Sequence, residues 1–159
     1  MLLIISQQTE AELKIAIASD HAALALKDAI SERLRELGHE PNDLGPNDTS
    51  SVDYPDFARL VCDNVTSGEA SLGILLCGSG IGMSMAANKY PGIRAALCFN
   101  RYMGSMTRLH NDANVLCLGE RVIGQGTALE IVEGFVSTEF EGGRHQRRVD
   151  KMMAFEELK

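Results

Sequence analysis

Five short apolar or β-prone runs, each followed by a stretch with helical spacing or by a polar turn, constrain this chain more than any other feature. The runs lie at residues 14–19 (KIAIAS), 39–44, 72–76, 93–97 and 114–118. Between and after them, residues 22–37, 55–66, 81–89, 102–109 and 125–138 read as helices. In the first helix Leu26, Ile30, Leu34 and Leu37 share one face, while Lys27, Asp28, Ser31, Glu32 and Arg35 take the other, and Gly38 stands where a helix ends. Pro55 suits a first helical turn. Ala128, Ile131, Val132 and Phe135 make the apolar face of the last of these helices.

The runs at 72–76, 93–97 and 114–118 are nearly continuous rather than alternating, as expected of parallel strands covered on both faces. Strands alternating with helices imply right-handed crossovers. The expected fold is a single α/β domain: a doubly wound, Rossmann-like, five-stranded parallel sheet with helices on both faces and a helical C-terminal tail over 144–158. Ligands of such sheets bind at the carboxyl ends of the strands, so each candidate site residue is expected just after a strand.

With 159 residues, 45% of them hydrophobic, the chain can build one sizeable core and not two. Residues 1–13 lack a signal peptide's basic start and cleavage site and read as an extension outside the fold, with the domain running from 14 to 159. A net charge of -7 disfavours nucleic acid and anionic membranes as partners, and no apolar run reaches the roughly 20 residues of a bilayer span. Cys62, Cys77, Cys98 and Cys117 form no C-x-x-C pair, so neither a metal nor a cofactor is expected, and reduced thiols suit a cytoplasmic protein.

Four constellations stand out. Cys77-Gly78-Ser79-Gly80-Ile81-Gly82 follows an apolar run and precedes a helix, so its amides can face a developing oxyanion. It matches neither the dinucleotide fingerprint nor a P-loop, and Cys77 is either a reactive thiolate or a buried structural thiol. Asp20-His21 opens the first helix, where Asp20 serves as N-cap, substrate contact or both. His110-Asn111-Asp112 reads as a polar loop before the last strand. Arg144 and Arg148, four apart, would share a helix face, as a phosphate clamp or a solvated basic end.

Taken together and in this order, these stretches resemble the type B ribose-5-phosphate isomerases and the galactose-6-phosphate isomerase subunits. The similarity also takes in Asp53-Tyr54-Pro55, Ala86-Ala87-Asn88-Lys89, Ala113-Asn114-Val115 and Glu141-Gly142-Gly143 with the arginines that follow, from about Lys14 to the end. It implies that Cys77 moves a proton between C1 and C2 through an enediolate, while Ser79 and the amides of Gly78, Gly80 and Gly82 hold the oxyanion. His110, with Asp20 nearby, would open the furanose ring and Asn111 would bind the sugar chain. His21, Arg144 and Arg148 would meet the phosphate, Arg121 would assist, and Tyr54 would line the pocket. It further implies a homodimer, or a tetramer of such pairs, whose sites are shared between chains, with the His110 segment and the Arg144 to Arg148 segment coming from different subunits. Met103 and Met106 would pack at the interface or fill the core. Tetrose, allose or galactose phosphates stand as other substrates, a non-catalytic binding module as another class, and one half of a two-protein isomerase as a third.

Overall fold

In the computed structural model, which describes residues 11–158, the alternation is realised in full. The order is β1 (Lys14–Ser19), α1 (Leu24–Glu36), β2 (Glu40–Asp43), α2 (Tyr54–Ser67), β3 (Leu72–Cys77), α3 (Ile81–Ala87), β4 (Ala95–Leu97), α4 (Arg101–Asn111), β5 (Val115–Gly119), α5 (Gln125–Val136) and α6 (Arg144–Met153), closed by a 3-10 turn over Ala154–Leu158. Residues 1–10 of the expected extension lie outside the described residues. Leu13 packs against the core, and its carbonyl accepts the Glu40 amide at 2.9 Å.

Successive residues of a strand point to opposite faces, and both faces here are covered. Ile15, Ile17, Ile74, Leu76, Leu116 and Leu118 pack with α1 and α5. Ala16, Ala18, Leu75, Cys77, Val115 and Cys117 pack with α2 and α3. All six residues of β3 are buried, which is why that run shows no alternation in sequence. The exception is β2, whose Glu-Pro-Asn-Asp is largely exposed: it lies at the sheet edge, where Pro41 withholds no ladder donor that a neighbour needs.

The sheet is wholly parallel in the order β2-β1-β3-β5-β4. From β1 the chain moves outward to β2, then returns across β1 to β3, so a switch point opens between β1 and β3. Ser19 pairs with Leu76 there, which sets Asp20 beside Cys77 at the carboxyl edge.

Several expectations need correction. Lys27, assigned to the solvent face of α1, is buried at 1% exposure. Its Nζ donates to Asp43 Oδ1 at 2.7 Å and to the Pro46 carbonyl at 2.8 Å, because a buried ammonium requires charged or polar acceptors. Ser31, assigned to the same face, is buried as well. Asp20 is not the N-cap: α1 begins four residues later, at Leu24 behind Ala23, and Asp20 Oδ1 accepts the Ala22 amide at 2.9 Å in a local turn. His110 and Asn111 occupy the last helical turn of α4, not a loop, and Asp112 ends the helix in the left-handed region at φ 47°.

Candidate active site

The carboxyl edge carries the first group of expected residues. Cys77 ends β3, and its Sγ accepts the Gly80 amide at 3.0 Å. Gly80 has φ +77°, and a Cβ on it would stand 2.5 Å from Leu97 Cδ1 and 2.9 Å from the Leu118 carbonyl carbon, so only glycine turns the chain tightly enough to aim that N–H at the sulfur. The Ile81 amide approaches Ser79 Oγ at 3.3 Å, so one short turn directs two donors at the two candidate side chains. Tyr54, first residue of α2, lies against Gly82, where a Cβ would sit 2.7 Å from its Cζ. The Arg121 side chain lies across Gly78, its amide bonded to the Gly78 carbonyl at 3.0 Å. His21 Nδ1 accepts the Val52 amide at 3.3 Å, which leaves Nε2 as the nitrogen that carries its proton in the neutral ring.

All four thiols are buried. Loss of solvent pushes Cys62 up to about 12 and Cys98 up to about 11, and raises Cys117 well above the usual thiol range. They are core residues. A carboxylate that sequence reasoning missed stands beside the first group: Glu120, whose amide donates to the Cys77 carbonyl at 3.0 Å. Burial, and then the charge of Asp20, raise its pKa, while Arg121 opposes them.

The second group lies elsewhere. Helix α4 leaves the carboxyl end of β4 and runs back toward the start of β5, so its last turn, with His110 and Asn111, reaches the amino edge of the sheet. Likewise α5 returns to that edge, where the Glu141 amide bonds the Leu109 carbonyl at 3.0 Å and α6 begins. The expectation that every site residue follows a strand therefore fails for His110, Asn111, Arg144 and Arg148. The expected proximity of Asp20 to His110 also fails within one chain, because helices that antiparallel the strands deliver their C-termini to the opposite edge.

What the fold does unite is His110, Asn111, His145, Arg148, Val149 and Met152, around a cavity of about 400 Å3. The segments of His110 and of Arg144 to Arg148, expected from different subunits, meet in one chain. The His110 and His145 rings stack at 4.2 Å between centroids with 12° between planes. His145, absent from the sequence candidates, is 5% exposed; burial, then the neighbouring His110 and Arg144, lower its pKa against the pull of Glu141. Arg144 and Arg148 share a helix face as expected: Arg148 lines the cavity, while Arg144 Nε points at His145 Nε2 from 3.4 Å. The buried His145 was legible only as one more basic residue in a basic run. Met103 packs against the core. Among the described residues, His110, Glu141 and His145 are the only group arranged to hold a metal ion.

Three comparisons with known proteins bear on these two groups. The model of the Ribose/Galactose Isomerase family matches residues 15–152. Ribose-5-phosphate isomerase B of Escherichia coli is 44% identical over 144 residues, covering 91% of this chain and 97% of the relative. The structure of Clostridium thermocellum ribose-5-phosphate isomerase B superposes with a TM-score of 0.90 at 51% identity, over 92% of this chain and 99% of that one. That of Mycoplasma genitalium ribose-5-phosphate isomerase B with bound ribulose-5-phosphate gives 0.88 at 45% identity, over 94% and 100%.

Proposed function

Because this chain belongs to the ribose/galactose isomerase family, we propose that it interconverts ribose 5-phosphate and ribulose 5-phosphate through an enediolate, with no metal taking part. The observation that carries the reading is Cys77 at the end of β3, its Sγ held by the Gly80 amide in a glycine-rich turn.

His110 protonates the ring oxygen and opens the furanose, with Asp20 supporting the proton's movement. Cys77 takes the proton from C2 of the open aldose and returns it to C1. Between those steps the negative charge rests on the enediolate oxygens, where the Ser79 hydroxyl and the amides of Gly78, Gly80 and Gly82 receive it, and the hydroxyl proton passes from O2 to O1 so that C2 becomes the carbonyl. A positioned general base contributes about 10²–10⁴-fold, and each preorganised oxyanion donor about 10²–10³-fold. His21, Arg144 and Arg148 take the phosphate, with Arg121 assisting. Asn111 holds the sugar hydroxyls and Tyr54 closes the wall.

Cys77 and His110 at opposite edges of one sheet cannot serve one sugar from a single chain. The active form is therefore a homodimer in which the carboxyl edge of one chain faces the amino edge of the other, and such dimers can pair into tetramers. The exposed Ile81 and Met85 of α3 would then have an interface to enter. No described helix is long and apolar enough to cross a membrane, in keeping with a cytoplasmic enzyme.

The test is turnover of ribose 5-phosphate by the purified chain without added metal, beside a panel of tetrose and hexose phosphates. Production of ribulose 5-phosphate as the fastest reaction supports the proposal. A six-carbon phosphate turned over rapidly while ribose 5-phosphate is untouched would refute the substrate assignment.

A further inference from the structure

We propose that His110, Glu141 and His145 form a binding site for a borderline transition-metal ion, Zn2+ above all, and that occupancy of this site shuts off the reaction. The three donors come from different parts of the chain: the last turn of α4, the loop before α6, and the first turns of α6. Their ligand atoms lie within 4.8 Å of one another. His145 Nε2 and Glu141 Oε2 are 3.2 Å apart. Ligands about 2.0 Å from a tetrahedral zinc stand about 3.3 Å from each other, so this pair is already at coordinating separation.

The third donor needs a small motion. Two stacked imidazoles cannot both aim a lone pair at one ion, so the His110 ring must turn out of the stack. Apart from the stack on His145 it has no side-chain hydrogen bond among the described residues, and it borders a cavity of about 400 Å3. Glu141 is exposed and free to follow. The backbone is tied already, by the Glu141 amide on the Leu109 carbonyl, so coordination asks for side-chain rotation alone.

Two imidazoles and one carboxylate select zinc, nickel, cobalt or copper over magnesium or calcium, which demand oxygen donors. The fourth position is open to water. The exposed Arg144, whose Nε faces His145 Nε2 at 3.4 Å, must turn aside to free that lone pair; it and Arg148 oppose a cation, and the Glu141 carboxylate offsets part of that repulsion. A metal on the His110 nitrogen removes the group that opens the furanose ring; this consequence, unlike the binding itself, rests on the proposed isomerase reaction.

Glu141 has no part in that reaction and is exposed, so Glu141→Ala serves as the probe. Titration calorimetry of the full-length protein with ZnCl2 is expected to show one ion per chain in the wild type and in Cys77→Ala, at least about tenfold weaker binding in Glu141→Ala, and no binding of MgCl2. In parallel, Zn2+ should inhibit wild-type turnover reversibly with EDTA and inhibit Glu141→Ala at correspondingly higher concentration. Zinc binding lost in Cys77→Ala and kept in Glu141→Ala would assign the ion to the thiol and overturn the proposal, as would no binding at all. Calorimetry as expected from a protein that turns over no sugar phosphate would leave the metal site standing and remove the isomerase reading.

Discussion

The carboxyl-edge group and the amino-edge group are built in different ways. The first is mostly backbone: Cys77 ends a fully buried strand and Ser79 lies in the three-residue turn, 78–80, that joins it to a helix, with Gly80 wedged against Leu97 and Leu118. The second is side chains on helix ends, with Asn111, Arg144 and Arg148 all exposed, His110 half-buried, and His145 and Val149 buried. A turn held by the core keeps its geometry in the single chain, whereas exposed arginines acquire fixed geometry only when something anionic or a second chain meets them. On the proposed reading, proton transfer between C1 and C2 falls to the rigid half, and ring opening with part of the phosphate contact to the adaptable half.

The largest effect expected from this division is at the rigid half. Cys77→Ala should lower kcat by about 10³-fold or more while leaving the substrate's binding nearly unchanged, measured by turnover beside calorimetry with ribose 5-phosphate. Comparable turnover in the variant would exclude Cys77 as the base. At the adaptable half, Arg148→Ala removes charge-assisted bonds worth about 1.5–3 kcal/mol, so KM should rise roughly 10- to 150-fold with a smaller change in kcat. An effect confined to kcat would place Arg148 at the reacting atoms instead.

A third experiment asks whether the halves belong to different chains. Cys77→Ala and His110→Ala proteins, each inactive alone, should recover about a quarter of wild-type activity when unfolded and refolded together in equal amounts, because half the dimers are mixed and each carries one intact site. Failure to recover would put both residues in one chain's site. The smallest effect is chemical. At pH 8 iodoacetamide should modify Cys77 alone in the folded protein: burial raises the pKa of Cys62, Cys98 and Cys117, so they are thiols at that pH and yield thiolate only as pH rises toward about 11 and beyond. Loss of activity should follow the first alkylated residue, identified by mass spectrometry.

Much of this molecule is legible in the chain. The buried strands announce themselves as apolar runs, the helices by their i, i+4 stripes, and the Cys77 turn by glycine placement after a strand. The tail's helix and the shared face of Arg144 and Arg148 follow from the same spacing rule. Less legible is β2, whose polar residues carry an edge strand's weak signal, and Lys27, whose helical position faces solvent by periodicity but is covered by the chain around Asp43 and Pro46. Glu120 and His145 were invisible for a related reason: a lone acidic or basic residue looks the same whether exposed or packed.

Sequence by itself therefore determined most of the elements and their order, because hydrophobic periodicity and glycine conformation act over a few residues. Only the tertiary structure decided which ends meet. Strand order put Asp20 beside Cys77, and the reversal of α4 and α5 against the strands carried His110, His145 and Arg148 to the opposite edge. Those juxtapositions depend on packing between residues far apart in the chain, where local spacing carries no information.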